Sequence, residues 1–193
     1  MEANEKELNP ERSIQIIESM IQRTKTNLHD SSFYFLLWGW IILIVDIGQI
    51  LLKYTNYKET YWLWLLVIPG IIASFVYGMR QGKKQKVSTH LDRVNFTIWM
   101  AFLVCYFTVI IFMKELNYNI TPIIFLLAGN ATFLTGIVIK FRSLIWGGII
   151  FWVGVLLLFL LPGEYSQYIV PVVIILGYLI PGYILRNQNR KDA

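Results

Sequence analysis

Six uninterrupted apolar runs, each bounded by charged or turn-forming residues, leave this chain few folds to choose from. They cover Phe33–Leu52, Tyr61–Met79, Phe96–Met113, Thr121–Ile139, Leu144–Leu161 and Tyr168–Leu185. Each is close to the ~20 residues that a helix rising ~1.5 Å per residue needs to cross about 30 Å of hydrocarbon. In that solvent every backbone N–H and C=O must be satisfied internally, which selects helices over open strands. The expectation is an all-α integral membrane bundle of six transmembrane helices. The connections around 53–60, 114–120 and 162–167 are too short to hold a further domain, so the helices follow one another as three hairpins.

Charge orients the bundle. If the runs alternate in direction, one side carries Lys6, Arg12, Arg23, Lys25, Arg80, Lys83, Lys84, Lys86, Arg93, Lys140, Arg142, Arg186, Arg190 and Lys191, and the other only Lys53, Lys58 and Lys114. Cationic flanks are retained in the cytosol during insertion, so both termini are expected there, with the protein multi-pass in the cell (inner) membrane. This bias also accounts for the net charge of +5. No nucleic-acid-binding signature accompanies it, and the Lys83, Lys84, Lys86 cluster reads as a contact with anionic lipid headgroups at about 1 kcal/mol per cation. The polar first 32 residues do not have the form of a cleaved signal sequence.

Residues 10–28 read as a separate amphipathic helix ahead of the first span. Asn9 suits the N-cap, Pro10 the first helical position, and Glu11 the positive helix end. Ile14, Ile17, Ile21 and Leu28 then recur at helical spacing, with Glu18, Arg23 and Lys25 on the remaining faces. Asp30, Ser31 and Ser32 break the pattern and supply a cap for the first membrane helix. The apolar stripe must be covered by the bilayer interface, by the bundle itself or by a partner protein. The resulting division is a cytosolic N-terminal segment 1–32, a transmembrane domain 33–186 and a cytosolic tail 187–193.

The leader Ser13-Ile-Gln-Ile-Ile-Glu-Ser-Met-Ile-Gln-Arg-Thr-Lys25, followed by Phe35-Leu-Leu-Trp-Gly-Trp40, resembles a group of small multi-pass bacterial membrane proteins of no known activity. The resemblance covers about the first fifth of the chain closely and implies a bacterial origin. It brings no cofactor and no catalytic residue.

Polar residues inside the runs are the remaining signal. Asp46 is the one formally charged residue within them. A carboxylate there costs roughly 2.5–3.5 kcal/mol on insertion scales, so it is expected to face the bundle, a water pocket or the outer interface. Gln49, Asn130 and Thr132 could join it around a polar cavity; alternatively they are ordinary interhelical hydrogen-bonding groups. Pro69 and Pro181 are candidate hinges, since each frees a backbone carbonyl one turn earlier. Two stripes at spacing four, Gly70–Ser74–Gly78 and Ala128–Thr132–Gly136, are expected helix contacts. A weak repeat relates Leu37-Trp38-Gly39 to Ile145-Trp146-Gly147 and Ile68-Pro69-Gly70 to Ile180-Pro181-Gly182. Tryptophans and tyrosines near the span ends read as interfacial belts.

Catalysis finds no foothold in the sequence. Cys105 is the only cysteine, His29 and His90 have no metal-ligand or protease spacing, and no nucleophile–base pair falls within the runs. No metal and no cofactor is implied. The expected function is that of a non-enzymatic component of sensing, regulation or assembly whose leader helix engages a partner. The alternative is a small transporter or channel built around Asp46 and Asn130. On this reading the bilayer is a partner, and a second copy of the chain is a further candidate.

Overall fold

The computed structural model describes residues 10–55, 60–84 and 90–191; for residues 10–31 the backbone alone is described. The described elements are all helical. They are α1 (Pro10–Tyr54), a 3₁₀ segment (Thr60–Leu66), α2 (Val67–Lys84), α3 (His90–Ile111), α4 (Thr121–Val138) and α5 (Arg142–Leu160). After these come a short 3₁₀ turn (Gly163–Tyr165), α6 (Ser166–Ile174), a π-helical turn (Ile175–Leu179) and α7 (Ile180–Lys191). Six stretches are long and apolar enough to cross a membrane: Ser32–Tyr54, Trp62–Lys83, His90–Ile111, Thr121–Val138, Arg142–Leu160 and Gln167–Gln188.

One expectation is corrected at the outset. α1 is a single helix of 45 residues, running through Asp30, Ser31 and Ser32 without a break. Polar residues that favour caps in isolation do not stop a helix whose backbone bonds continue on both sides. The leader is therefore the N-terminal extension of the first span; its side chains, Ile14, Ile17, Ile21 and Leu28 among them, lie outside the described residues.

Four spans form the centre, and two lie outside it. α1 packs closely against α7 and α6, α5 against the π turn and α6, and α4 against α5. α2 touches α1, and α3 leans on α4. Accordingly the second span is 6% buried and the third 0%, against 44% for the fourth and sixth. α1 and the last span run antiparallel: Gly182 meets Leu36 at one end, while Lys53 Nζ donates to Gln167 Oε1 (3.1 Å) at the other. The start of the first span and the close of the last thus lie at the same end of the bundle.

Glycines set the closest approaches. At Gly136 an added Cβ would lie 2.7 Å from the backbone N of Ile145, and at Gly148 it would lie 2.8 Å from the carbonyl O of Gly129. Small residues at these positions let the backbones approach closely and gain dispersion contacts. The α4–α5 turn is correspondingly tight. Phe141 N–H donates to Gly136 O (2.8 Å) and Lys140 N–H to Ile137 O (3.1 Å), the Schellman pattern, with Lys140 at φ 55° in the left-handed position. Both anticipated stripes lie at contacts. Gly70 faces Ile41 and Trp38, Gly78 faces the Tyr34 hydroxyl, and Ala128, Thr132 and Gly136 are buried in the α4 interface.

The core is crossed by a line of aromatic rings. Trp99 of α3 meets Phe35 of α1 (5.8 Å), Phe35 meets Tyr178 of the π turn (5.6 Å), Tyr178 meets Phe151 of α5 (4.7 Å), and Phe151 meets Phe125 of α4 (5.3 Å). Phe151 is wholly buried. Trp99 thus belongs to the packing as well as to any interfacial belt, whereas Trp40, Trp62, Trp64 and Trp146 are exposed as a belt requires.

Candidate intramembrane polar site

Asp46 is placed by helical register. Ser32, Gly39, Asp46 and Lys53 follow at steps of seven, which is two turns less about 20°, and so share one stripe of α1. Ser32 is buried, Gly39 is pressed on Leu179 and Tyr178, and Lys53 reaches Gln167. The stripe meets the last span at Gly39 and at Lys53, and Asp46 lies midway between those two contacts. The residue is half-buried, and its Oδ2 is buried with no hydrogen-bond partner, Gln49 included, among the described residues.

The other expected members are not gathered around it. Asn130 is exposed on α4, where its Oδ1 accepts from Trp152 Nε1 (3.0 Å). Thr132 is wholly buried and donates to Ala128 O of its own helix (2.7 Å). Its hydroxyl oxygen is also bonded to the Tyr178 hydroxyl. The notion of one polar cavity shared by Asp46, Gln49, Asn130 and Thr132 is therefore corrected: no hydrogen bond joins any two of them among the described residues. Asn130 and Thr132 sit on different faces of α4, since two residues along a helix turn the side chain by about 200°.

The two expected hinges differ in kind. Pro69 is the third residue of α2, directly after the 3₁₀ segment. In the first turn of an α-helix the missing N–H has no intrahelical acceptor to lose, so Pro69 marks a junction between helix types rather than a kink. Pro181 follows the π turn, in which Ile180 N–H bonds back to Ile175 O. A wide turn gives the ring room and leaves the Gly177 carbonyl pointed at Gly147, where a Cβ would come within 2.5 Å of that oxygen.

Sequence reading passed over the π turn, the interior Pro171 of α6 and Tyr178. Pro171 was the available signal, because two prolines ten residues apart in one span strain a regular α-helix. Asn95 was also missed; its Oδ1 accepts from Thr135 Oγ1 (3.0 Å) and ties α3 to α4. Of the expected lipid contacts, Lys83 is exposed, the Lys84 side chain lies outside the described residues, and so does Lys86. Among the described residues no group of three or more His, Cys, Asp or Glu could hold a metal ion.

No protein-family model matches the chain, and neither a curated protein nor a solved structure matches it. The resemblance of the leader and of Phe35–Trp40 rests on those residues alone.

Proposed function

We propose that the chain is a multi-pass inner-membrane protein, both termini cytosolic, that acts as a non-enzymatic component of sensing, regulation or assembly through its N-terminal helix. The observation that supports this most is the continuity of α1. The span Ser32–Tyr54 takes 23 of the 45 residues of the helix. The remainder, roughly 33 Å at ~1.5 Å per residue, projects past the start of the span as one rod with it. A partner bound along Ile14, Ile17, Ile21 and Leu28 would act on a helix whose other half holds the Gly39–Tyr178 contact at the core. Deletion of residues 1–28 is expected to release the partner from the purified membrane protein while the bundle still inserts. An unchanged set of co-purifying proteins would end this reading. Ser31→Pro, which interrupts the rod at roughly 3 kcal/mol, should preserve binding and lose the downstream response.

A second reading, a small transporter, draws on the buried and unpartnered Oδ2 of Asp46. A buried oxygen without a donor can take up a proton or a cation, and the proline and π irregularities nearby resemble those that line ion sites. Purified protein in vesicles should then show a flux that Asp46→Asn abolishes. Wild-type vesicles without flux for protons or monovalent cations would remove it.

A further inference from the structure

We infer that the outer face of α4 is the seam of a homodimer, closed by a reciprocal pair of Asn130 amides at the middle of the membrane. This rests on the membrane-spanning reading and not on the partner-binding one. Asn130 lies at the midpoint of the fourth span, Thr121–Val138, where no headgroup or water is at hand. It is nevertheless exposed in the single chain.

The orientation of its amide follows from chemistry. The indole of Trp152 can only donate, so Oδ1 must face it at 3.0 Å and the Nδ2 group, with two donors, is left without a partner among the described residues. Other exposed span hydroxyls do not share this predicament: Thr97 donates to Arg93 O and Thr108 to Val104 O, each at 2.8 Å within its own helix. Around Asn130 the face is apolar. Leu126, Leu134 and Ile137 are 44%, 45% and 49% exposed, and beside them Phe133, packed on Gly148 of α5, lies tilted against Trp152 at 4.8 Å. Leu126, Asn130, Leu134 and Ile137 recur at steps of four, four and three, the spacing of a helix–helix seam.

The occupant is specified by hydrogen-bond complementarity. Lipid tails offer no acceptor, whereas a second copy related by a two-fold axis along the membrane normal presents its own Asn130 at the same depth. The Trp152 bond takes one lone pair of Oδ1 and leaves the other for the partner's Nδ2–H. Each amide then donates once and accepts once across the axis. Trp152 serves to hold the amide in that presentation. A single asparagine in an apolar seam also fixes register, since any slip leaves both amides unpaired.

The test uses full-length protein with Cys105→Ser, reconstituted in phosphatidylcholine vesicles, with Leu126→Cys or Ile137→Cys and Asn130 retained. A thiol-reactive cross-linker is expected to give a covalent dimer at both positions and none from Phe75→Cys on α2. Dimerisation measured by fluorescence transfer between labelled copies should weaken roughly 3- to 10-fold in Asn130→Leu, from the loss of two modest bonds. A monomer at all densities, or a dimer that cross-links through Phe75→Cys and ignores Asn130→Leu, overturns the seam. Because the cross-linking arm keeps Asn130, it decides the matter even if Asn130→Leu folds poorly. Extraction of the protein from the vesicles by alkaline carbonate would instead defeat the membrane-spanning reading beneath it.

Discussion

At the scale of single residues, Tyr178 joins more of the molecule than any other side chain described. Its ring lies between Phe35 and Phe151 and its hydroxyl bonds Thr132, so α1, α4, α5 and the last span meet on it. Tyr178→Phe keeps the ring and removes the hydroxyl, and should lower stability by about 0.6–2 kcal/mol. Tyr178→Ala should lower it by about 3–5 kcal/mol. Unfolding in mixed micelles, followed by circular dichroism, distinguishes the two. A loss for Tyr178→Phe as large as for Tyr178→Ala would contradict the assignment. Lys140 offers the opposite sign: in the left-handed position a side chain costs about 1 kcal/mol relative to glycine, so Lys140→Gly should raise stability by about that amount in the same assay.

Among the elements, the α4–α5 hairpin shows how the bundle is held. Gly136 and Gly148 let the two backbones touch, and what an added methyl would meet at Gly136 is main chain that cannot rotate away. Gly136→Ala should therefore destabilise by roughly 1–3 kcal/mol, the range for overpacking. Gly163→Ala, with nothing within 4 Å of the added Cβ, should leave stability within about 0.5 kcal/mol of the parent. Comparison of the two by denaturant titration checks the claim, and equal effects would refute it. The last span is the least regular element, with Pro171 and Pro181 on either side of the π turn. That irregularity places Gly177, Tyr178 and Leu179, three successive residues, all in the interior. A regular α-helix sends successive side chains 100° apart and would have turned one of them outward.

For the whole molecule, the antiparallel pairing of α1 with the last span sets the start of the first span beside the close of the last, and the proposal that both termini are cytosolic builds on that pairing. Cysteines introduced at Ser13 and at Ala193 in a Cys105→Ser background should react alike with a membrane-impermeant maleimide. Both should be labelled in inverted vesicles and neither in right-side-out vesicles. Labelling of one end only in each preparation would mean an odd number of crossings. α2 and α3 lie outside the four central spans and present mostly apolar side chains outward, among them Ile68, Ile72, Phe75, Phe96, Val104 and Phe107. In a bilayer this surface needs no protein cover, which is why two spans can remain almost unburied.

Much of this architecture could be read in advance. Helix number, span positions and the small-residue contacts follow from hydropathy and spacing, because the membrane demands about the same length and the same internal hydrogen bonding of every crossing. What could not be read was which polar groups would meet. Asn130, Thr132 and Asp46 look alike in a sequence, yet one is bonded to Trp152, one to Tyr178 and one to nothing described. The pairing depends on the rotation of each helix about its own axis, which is set by glycine contacts and ring packing between segments far apart in the chain. The continuity of α1 belongs to the same class: Asp30, Ser31 and Ser32 are equally compatible with a cap and with a helix interior. Local chemistry thus settled how many apolar spans there are and roughly where each lies; contacts between distant segments decided which faces they show one another.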